Sequence, residues 1–254
     1  MKNEVVIVTG GSSGMGKYMA KKFAHEGAKV VITGRDEARL QAAKEDILEG
    51  KDLQVHPIVM DVRNIEDVER MVDETVQKYG AIHHLVNNAA GNFIAPTEKL
   101  SINGWNTVID IVLNGTFYCS HAVGNYWIEN GIEGNIVNMV ATYAWNAGAG
   151  VIHSASAKAG VLTMTRTLAV EWGRRYGIRT NAIAPGPIDR TGGAEKLWES
   201  VEAAKRTLKS VPLGRLGEPE EIADLAYFIL NDATYMNGEV VTLDGGQWLN
   251  QFPF

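Results

Sequence analysis

Four polar residues stand at positions from which they could act together on a bound molecule. Ser154 and Lys158 lie one helical turn apart in the stretch VIHSASAKAG at 151–160, so their side chains face the same side of a helix. Tyr143 follows the apolar run NIVNM and Asn92 follows NNAAG, so each lies just past the end of a predicted strand. Such side chains can donate hydrogen bonds, which indicates a site that stabilises negative charge on an oxygen.

Two of these donors also have plain structural explanations. Tyr143 could be an aromatic side chain that packs at an interface or under a lid, and Asn92 could be a turn residue that tolerates unusual backbone angles. Both positions nevertheless lie where open α/β sheets bind ligands, outside the carboxyl ends of the strands. The residues alone leave the functional and the structural interpretation open.

A glycine-rich loop near the start of the chain has the pattern of a phosphate-binding turn. The sequence TGGSSGMG at 9–16 follows the first apolar run and opens a helix. Glycines allow close backbone approach, and the amino end of a helix offers unpaired N–H groups and a positive dipole. The residues expected to line this turn are Gly10, Ser12, Ser13, Gly14, Met15 and Gly16. A tight strand-to-helix turn without a ligand is the alternative that this motif leaves open.

The ends of the next two predicted strands carry charged side chains near this turn. Gly34 and Arg35 stand where a site selective for NAD carries an acidic residue for the ribose hydroxyls. An arginine there can pair with a 2′-phosphate and favours NADPH over NADH, unless it is only a solvated charge at a strand end. Asp61 and Val62 end the third strand, where they could contact an adenine ring. Asp61 could equally cap the helix that begins near Asn64.

Short apolar runs alternate with segments of helical periodicity along the whole chain. The predicted strands are VVIVT at 5–9, KVVIT at 29–33, QVHPIVM at 54–60, HHLVN at 83–87, NIVNM at 135–139, RTNAIA at 179–184 and EVVTL at 239–243. Uniformly apolar strands with helices between them are typical of a parallel sheet covered on both faces. The sequence therefore predicts an α/β fold with about seven parallel strands.

The composition limits the partners and the compartment. The chain has 254 residues and a formal net charge of -6, so no broad basic surface is expected and nucleic acid is not predicted as a partner. Cys119 is the only cysteine, which excludes an internal disulfide and a multi-cysteine metal site. The amino terminus shows no signal sequence, and no apolar run reaches membrane-spanning length. We expect one soluble, cytoplasmic domain over 1–254, in which 185–212 forms a substrate lid or else an ordinary long surface loop.

The order of these motifs resembles the short-chain dehydrogenase/reductase family over essentially the whole chain. The shared motifs are TGGSSGMG at 9–16, DV at 61–62, NNAAG at 87–91, a lysine on a mid-chain helix, PGPI at 185–188 and DGG at 244–246. The resemblance implies a single Rossmann-like, doubly wound domain with helices on both faces, a cofactor across the carboxyl edge of the sheet, and a homotetramer. It also implies cofactor contacts for the residues that fill the family's motifs, Asn88, Ala89, Lys158, Pro185, Gly186 and Ile188.

The part of the predicted site where the substrate would react, here called the reacting end, departs from the family's usual pattern. That pattern is an asparagine, a serine, a tyrosine and a lysine. Val112 stands at the asparagine position and Ala141 at the serine position. Ser154 replaces the tyrosine, and only Lys158 matches. A serine hydroxyl is a poor proton donor at neutral pH, so simple ketone reduction is disfavoured. Hydride addition to the far end of a conjugated thioester needs only fixed donors for the charge that develops on a remote oxygen.

The replacement residues resemble the 2,4-dienoyl-CoA reductase branch of the family, in its mitochondrial and bacterial type. The stretches NNAAGNFIAPTEKLS, DIVLNGT, SASAKAGV and AVEWG carry this resemblance, together with Val112 and Tyr143. It implies NADPH-dependent reduction of a 2,4-dienoyl-CoA to a 3-enoyl-CoA in the oxidation of unsaturated fatty acids. By position, Asn92 and Tyr143 would bond the thioester oxygen. Lys158 would hold the nicotinamide ribose, with Ser154 beside it.

Two other interpretations of the reacting end stay open. One is another short-chain reductase that acts on a carbonyl or a 2-enoyl thioester, with Tyr143 as a relocated acid. The other is a redox-silent protein that binds NADPH, because inactivation also removes catalytic groups. The match to a working alternative site favours the reductase, since decay would give arbitrary substitutions. Proton delivery to the α-carbon falls to water, because no residue obviously serves it.

Overall fold

A computed structural model of the chain describes residues 1–191 and 201–250, and these contain one parallel sheet. Its strands in chain order are β1 (Val5–Val8), β2 (Lys29–Gly34), β3 (Val55–Val59), β4 (His84–Asn87), β5 (Asn135–Met139), β6 (Arg179–Pro185) and β7 (Val240–Leu243). They lie in the order β3-β2-β1-β4-β5-β6-β7, and every neighbouring pair is parallel. The prediction of a seven-stranded parallel α/β sheet is confirmed.

Helices connect the strands and cover both faces of the sheet. They are α1 (Gly14–His25), α2 (Glu37–Leu48), α3 (Ile65–Tyr79), α4 (Ile102–Ile109), α5 (Gly115–Asn130), α6 (Ile152–Tyr176), α7 (Val201–Ser210) and α8 (Pro219–Asn231). A π-helical turn at Asp110–Asn114 joins α4 to α5. Among the helices that the structure describes, none is both long enough and apolar enough to cross a membrane.

The sheet is buried on both sides, which explains its uniformly apolar strands. Buried side chains of α1, α2 and α8 pack against one face, together with Val6 and Val8 of β1. Those of α3 and α5 pack against the other face, together with Ile7. Because neighbouring residues of a strand point to opposite faces, each strand needs apolar residues at nearly every position.

The predicted strands match the observed ones closely, with one difference that concerns the candidate site. The ladder between β2 and β3 ends at Val59, so Asp61 and Val62 lie in the turn before α3 and not at the end of the strand. That helix is capped by Asn64, whose side chain accepts the backbone N–H of Asp67 at 3.2 Å. The interpretation of Asp61 as the helix cap is therefore wrong.

The carboxyl ends of all seven strands lie along one edge of the sheet. The chain reverses its direction of travel across the sheet at β1, so a crevice opens between β1 and β4, as in other doubly wound sheets. The glycine-rich turn follows β1, and the segments with the polar residues of the reacting end follow β4 and β5. Of the predicted lid at 185–212, the expected short helix is α7, and 192–200 lie outside the described residues.

Cys119 provides a test of this packing. Its side chain is fully buried in α5 within the cluster against β4, and burial raises the pKa of the thiol to about 12. The thiolate is the reactive form of cysteine. We therefore expect a thiol reagent to leave the native protein unlabelled at mildly alkaline pH and to label the single cysteine fully after unfolding in denaturant. Rapid labelling of the folded protein would show that α5 does not pack as described.

Candidate active site

The turn between β1 and α1 presents backbone N–H groups to the crevice. The first residue of α1 is Gly14, and the N-cap Ser13 makes no side-chain cap hydrogen bond with the helix. The first turn of the helix contains no acidic residue. Gly10 and Gly14 have φ angles of 64° and 50°, a backbone conformation that favours glycine. Free N–H groups and the positive end of the helix dipole suit the phosphates of a dinucleotide, so this turn fits the predicted cofactor.

Asn88 braces this glycine-rich turn from the neighbouring strand. Its amide nitrogen donates to the carbonyls of Thr9 and Gly10 at 3.0 and 3.2 Å. The Thr9 hydroxyl in turn accepts the backbone N–H groups of Asn88 and Ala89. A Cβ atom on Gly16 would lie 2.4 Å from the Asn88 amide nitrogen, so glycine is required at the contact. Thr9 is a residue that sequence reasoning did not single out, although it opens the TGGSSGMG motif.

Charged side chains lie beside the ends of β2 and β3. Arg35 directly follows β2, and its side chain is exposed. Arg63 donates to the Asp61 carboxylate at 3.0, 3.1 and 2.6 Å, and these hydrogen bonds lower the pKa of Asp61. Asp61 therefore remains a charged acceptor at neutral pH. Val62 is buried against α5, where a Cβ atom on Gly115 would lie 2.7 Å from it, so its side chain belongs mainly to the core.

The tyrosine and the serine of the reacting end meet each other. Tyr143 lies in a 3-10 turn at Thr142–Ala144, after β5, and its hydroxyl is 3.1 Å from that of Ser154 in the first turn of α6. Burial raises the pKa of the Tyr143 phenol, while the hydrogen bond with Ser154 acts in the opposite direction. The phenol therefore keeps its proton at neutral pH and can donate it in a hydrogen bond.

Lys158 lies one turn after Ser154 in α6, and its side chain reaches the carboxyl end of β5. Its ammonium group donates to the carbonyl of Met139, the last residue of β5. Burial lowers the pKa of Lys158 to about 8, so the side chain is still mostly charged at neutral pH. The structure thus brings Ser154, Tyr143 and Lys158 together around the carboxyl end of β5.

Asn92 lies one strand away, on the segment that follows β4. Its side-chain oxygen accepts the backbone N–H of Phe93 at 2.9 Å, which directs the amide nitrogen away from that peptide. The Phe93 ring packs edge-on against the buried His153 of α6, with ring centroids 4.5 Å apart. This contact holds the Asn92 segment against the helix turn that carries Ser154.

The positions of two usual catalytic groups are occupied by apolar side chains. Val112 is buried in the π-helical turn and packs with Val140, Ala144 and Ala157. Ala141 is buried directly after β5. Neither position can donate a proton or hold a water molecule by a side-chain hydrogen bond. Side chains beside these two positions that can donate a hydrogen bond include Tyr143, Ser154 and Lys158.

A buried amide pair supports the reacting end and was missed by sequence reasoning. Asn87 of β4 donates to Asn138 of β5 at 2.8 Å and to Ser120 of α5 at 2.9 Å. Asn138 donates to Thr165 of α6 at 2.9 Å. The two asparagines are direct partners in the strand register. The available signal was an asparagine in each of two neighbouring predicted strands, HHLVN and NIVNM.

The segment after β6 forms the far border of the crevice. Pro185 ends the strand, and a Cβ atom on Gly186 would lie 2.6 Å from the Cβ of Asp244, so only glycine fits there. Ile188 is buried and forms an isolated bridge with Gly217. These three residues of the PGPI motif lie along this border, and the side chain of Ile188 also fills the core.

Comparisons with known proteins agree with this architecture. A family model described as enoyl-(acyl carrier protein) reductase matches residues 10–247. A Bacillus subtilis protein named probable 2,4-dienoyl-CoA reductase, (2E)-enoyl-CoA-producing, is 61% identical over 257 residues, which cover 100% of both chains. A crystal structure of a short chain dehydrogenase from Bacillus anthracis is 63% identical, covers 99% of each chain and has a TM-score of 0.91. The chain belongs to the short-chain dehydrogenase/reductase family.

Other relatives of this short-chain dehydrogenase/reductase extend the comparison. A Caenorhabditis elegans protein named probable 2,4-dienoyl-CoA reductase, (3E)-enoyl-CoA-producing, is 42% identical over 250 residues, covering 97% of this chain and 81% of its own. An Agrobacterium tumefaciens structure described as a 2-deoxy-D-gluconate 3-dehydrogenase contains NADP, with 30% identity, 98% coverage of each chain and a TM-score of 0.89. Family members of this fold thus include a nucleotide-bound structure.

The burial of Lys158 predicts how stability depends on pH. The unfolded side chain has a pKa of ~10.4, whereas the folded one titrates at about 8. Between these values the unfolded state binds more protons, so this lysine makes the free energy of unfolding rise with pH. Relative to Lys158→Met, the parent should gain about 2 kcal/mol between about pH 8 and about pH 10, measured by denaturant titration without cofactor. A constant difference between the two proteins would show that the ammonium group is solvated.

Proposed function

We propose that this chain reduces 2,4-dienoyl-CoA thioesters with NADPH and yields a 3-enoyl-CoA, a step in the oxidation of unsaturated fatty acids. The observation that carries the proposal is the hydrogen bond between Tyr143 and Ser154, at 3.1 Å. It supports the proposal because the phenol comes from the turn after β5 and not from α6. The names of the Bacillus subtilis and Caenorhabditis elegans relatives support the same substrate class.

The relocated phenol is suited to stabilise an oxyanion. Burial raises the pKa of Tyr143, and the Lys158 ammonium group donates to the Met139 carbonyl instead of to the phenol. The tyrosine therefore lacks the direct lysine contact that would make it a stronger acid. A neutral phenol in a buried site is nevertheless a strong donor to an oxygen on which charge develops. This favours conjugate reduction of a thioester over reduction of a ketone.

The residues divide the chemistry between them. A bound NADPH would supply a hydride to the far carbon of the dienoyl system. Tyr143 and Asn92 would donate hydrogen bonds to the thioester oxygen, where negative charge collects as the double bonds shift. Ser154 fixes the direction of the Tyr143 hydroxyl, and Lys158 would bind the nicotinamide ribose. A proton that enters at the α-carbon then completes the 3-enoyl product.

The position of the remaining double bond differs between the names of the relatives. The Bacillus subtilis name gives a (2E)-enoyl-CoA product, and the Caenorhabditis elegans name gives a (3E)-enoyl-CoA product. A dienolate yields the 3-enoyl isomer when the proton enters at the α-carbon and the 2-enoyl isomer when it enters at the γ-carbon. We favour the α-carbon, because donors on the thioester oxygen hold the charge beside it. Entry at the γ-carbon is the alternative that the Bacillus subtilis name supports.

The proposal also covers the oligomeric state and the cellular compartment of the protein. We infer a cytoplasmic homotetramer that acts as one domain over 1–254, with 185–212 over the substrate. Exposed apolar side chains on the two long helices support an assembly, since Phe117 of α5 is 48% exposed and Val170 of α6 is 79% exposed. Analytical ultracentrifugation would measure the size, and a monomer at micromolar concentration would contradict this inference.

The activity itself is tested with NADPH and a 2,4-dienoyl-CoA. The loss of absorbance of NADPH and of the dienoyl thioester should be followed, and NMR of the product should locate its double bond. We expect turnover of the dienoyl thioester and negligible reduction of simple ketones. Brisk ketone reduction would support the carbonyl reductase alternative, and NADPH binding without any turnover would support the redox-silent one.

The preference for NADPH should depend on Arg35. If its exposed guanidinium pairs with the 2′-phosphate, Arg35→Ala should raise the dissociation constant for NADPH by about 10- to 100-fold and leave that for NADH nearly unchanged. Fluorescence titration of each nucleotide measures both values. Arg175→Ala, at an exposed position in the last turn of α6, removes the same charge far from the glycine-rich turn and should change neither. An unchanged ratio in Arg35→Ala would make Arg35 an ordinary surface charge.

The phenol of Tyr143 should act on the rate more than on binding. Tyr143→Phe removes one donor to the developing oxyanion, so kcat on dienoyl-CoA should fall by about 100- to 1000-fold while the NADPH dissociation constant stays within about 3-fold. The double variant Tyr143→Phe/Asn92→Ala should lose less than the product of the single losses if both donate to one oxygen. Tyr176→Phe removes a phenol from the far end of α6 as a control. Near-parental kcat in Tyr143→Phe would move the donor role to Ser154.

A further inference from the structure

Two tryptophan rings meet at the border of the site. Trp145 and Trp248 form an edge-to-face pair with ring centroids 5.9 Å apart and an interplanar angle of 87°. Trp145 is 38% exposed, so part of this large apolar ring is accessible to a ligand. The mechanism described above uses neither ring.

The pair lies beside the reacting end, on the side away from the dinucleotide crevice. Trp145 follows the 3-10 turn that carries Tyr143 and stands two residues after it. Trp248 lies in a short helical turn after β7. Because β6 separates β5 from β7 in the sheet, the two rings meet across the carboxyl end of β6. The crevice between β1 and β4 lies on the opposite side of β5.

A buried carboxylate fixes the position of Trp248. The two oxygens of Asp244 accept the backbone N–H groups of Gly246 and Trp248, at 2.9 and 2.8 Å. The same turn is tied to the end of α7, since Asn250 donates to the Ser210 carbonyl at 3.1 Å. These bonds fix the backbone of the turn at Trp248 and connect it to the end of α7.

The chemistry of this wall suits a hydrocarbon chain. Two indole rings offer aromatic carbon, and apolar contacts of this kind gain free energy in proportion to the area buried. The Asp244 carboxylate lies in the turn that carries Trp248, and its negative charge disfavours the phosphates of coenzyme A there. A thioester held at Tyr143 would therefore direct its acyl chain, and not its nucleotide, along the two rings.

We propose that Trp145 and Trp248 form the wall along which the acyl chain of the thioester lies, and that they set the preference for chain length. This inference rests on the proposed function, because it takes an acyl-CoA as the ligand. Each methylene that packs on the rings adds binding energy, whereas carbons beyond the pair add little. The value of kcat/KM should therefore rise with the length of the acyl chain and then level off.

A series of substrates from 2,4-hexadienoyl-CoA to 2,4-dodecadienoyl-CoA tests the wall. In the parent, kcat/KM should rise by up to about 4-fold per added carbon before it levels off. Trp145→Ala should lower kcat/KM of the long substrates by about 10-fold or more and change that of the hexadienoyl substrate by less than about 3-fold. Trp145→Phe keeps an aromatic ring and should keep most of the chain-length dependence. It thereby distinguishes loss of the ring surface from poor folding of the alanine variant. Equal losses at every chain length would overturn the proposal.

A neighbouring side chain provides the control. Leu249 follows Trp248 in the same helical turn and is 69% exposed. Leu249→Ala removes apolar surface from this turn without touching the ring pair, so the chain-length profile should match that of the parent. A profile altered as strongly as in Trp145→Ala would overturn the assignment to the two rings.

Direct binding separates this inference from the proposed reaction. Saturated acyl-CoAs of increasing length, from hexanoyl-CoA to dodecanoyl-CoA, are titrated into the parent and into Trp145→Ala by calorimetry. Affinity that rises with length in the parent and not in the variant supports the wall, even if the parent fails to reduce dienoyl-CoA. Affinity independent of length in a parent that does reduce dienoyl-CoA overturns the wall and leaves the proposed function intact.

Discussion

The reacting end depends on the buried hydrogen bonds between Asn87 and Asn138. These amides join β4 to β5 side by side and continue to Ser120 and Thr165 on the two long helices. A buried amide that loses its partner costs about 1–3 kcal/mol, so the network favours one register of strands and helices over others. The Asn92 segment and the Tyr143 turn begin where these two strands end. Their relative placement is therefore fixed from within the sheet.

The ammonium group of Lys158 and the phenol of Tyr143 are held by separate contacts. Lys158 is anchored by the carbonyl that ends β5, and that anchor does not involve a tyrosine on α6. Ser154 is the hydrogen-bond partner of Tyr143, and Val112 and Ala141 are buried apolar residues at the positions of the family's usual asparagine and serine. Residues on the cofactor side of the site and residues at its reacting end can thus be substituted independently of one another. A fold that binds one nucleotide can serve different substrates in this way.

Local patterns predicted the sheet, the glycine-rich turn and the helical pair of Ser154 and Lys158, because each depends on residues close together in sequence. Predictions were less accurate where a role depends on which elements approach one another. Asp61 had two equally good roles from spacing, and the cap role is excluded because β3 ends at Val59 and Asn64 caps α3. Asn88 matches a family motif, yet only the packing of β4 beside β1 shows that its amide braces the glycine-rich turn. Long-range contacts of this kind leave no periodic signal in the chain.

The π-helical turn at Asp110–Asn114 has a consequence for the phase of the helices around it. An α-helix advances by ~100° per residue, so one extra residue in a turn rotates everything beyond it by about that angle. The faces of α4 and α5 are therefore offset: α4 packs on α6, whereas α5 packs mainly on α3 and β4. One continuous segment can in this way line the reacting end with one face and seal the core with another. Deletion of a single residue from the π-helical turn would restore a regular helix. The packed face of either α4 or α5 would then rotate toward solvent.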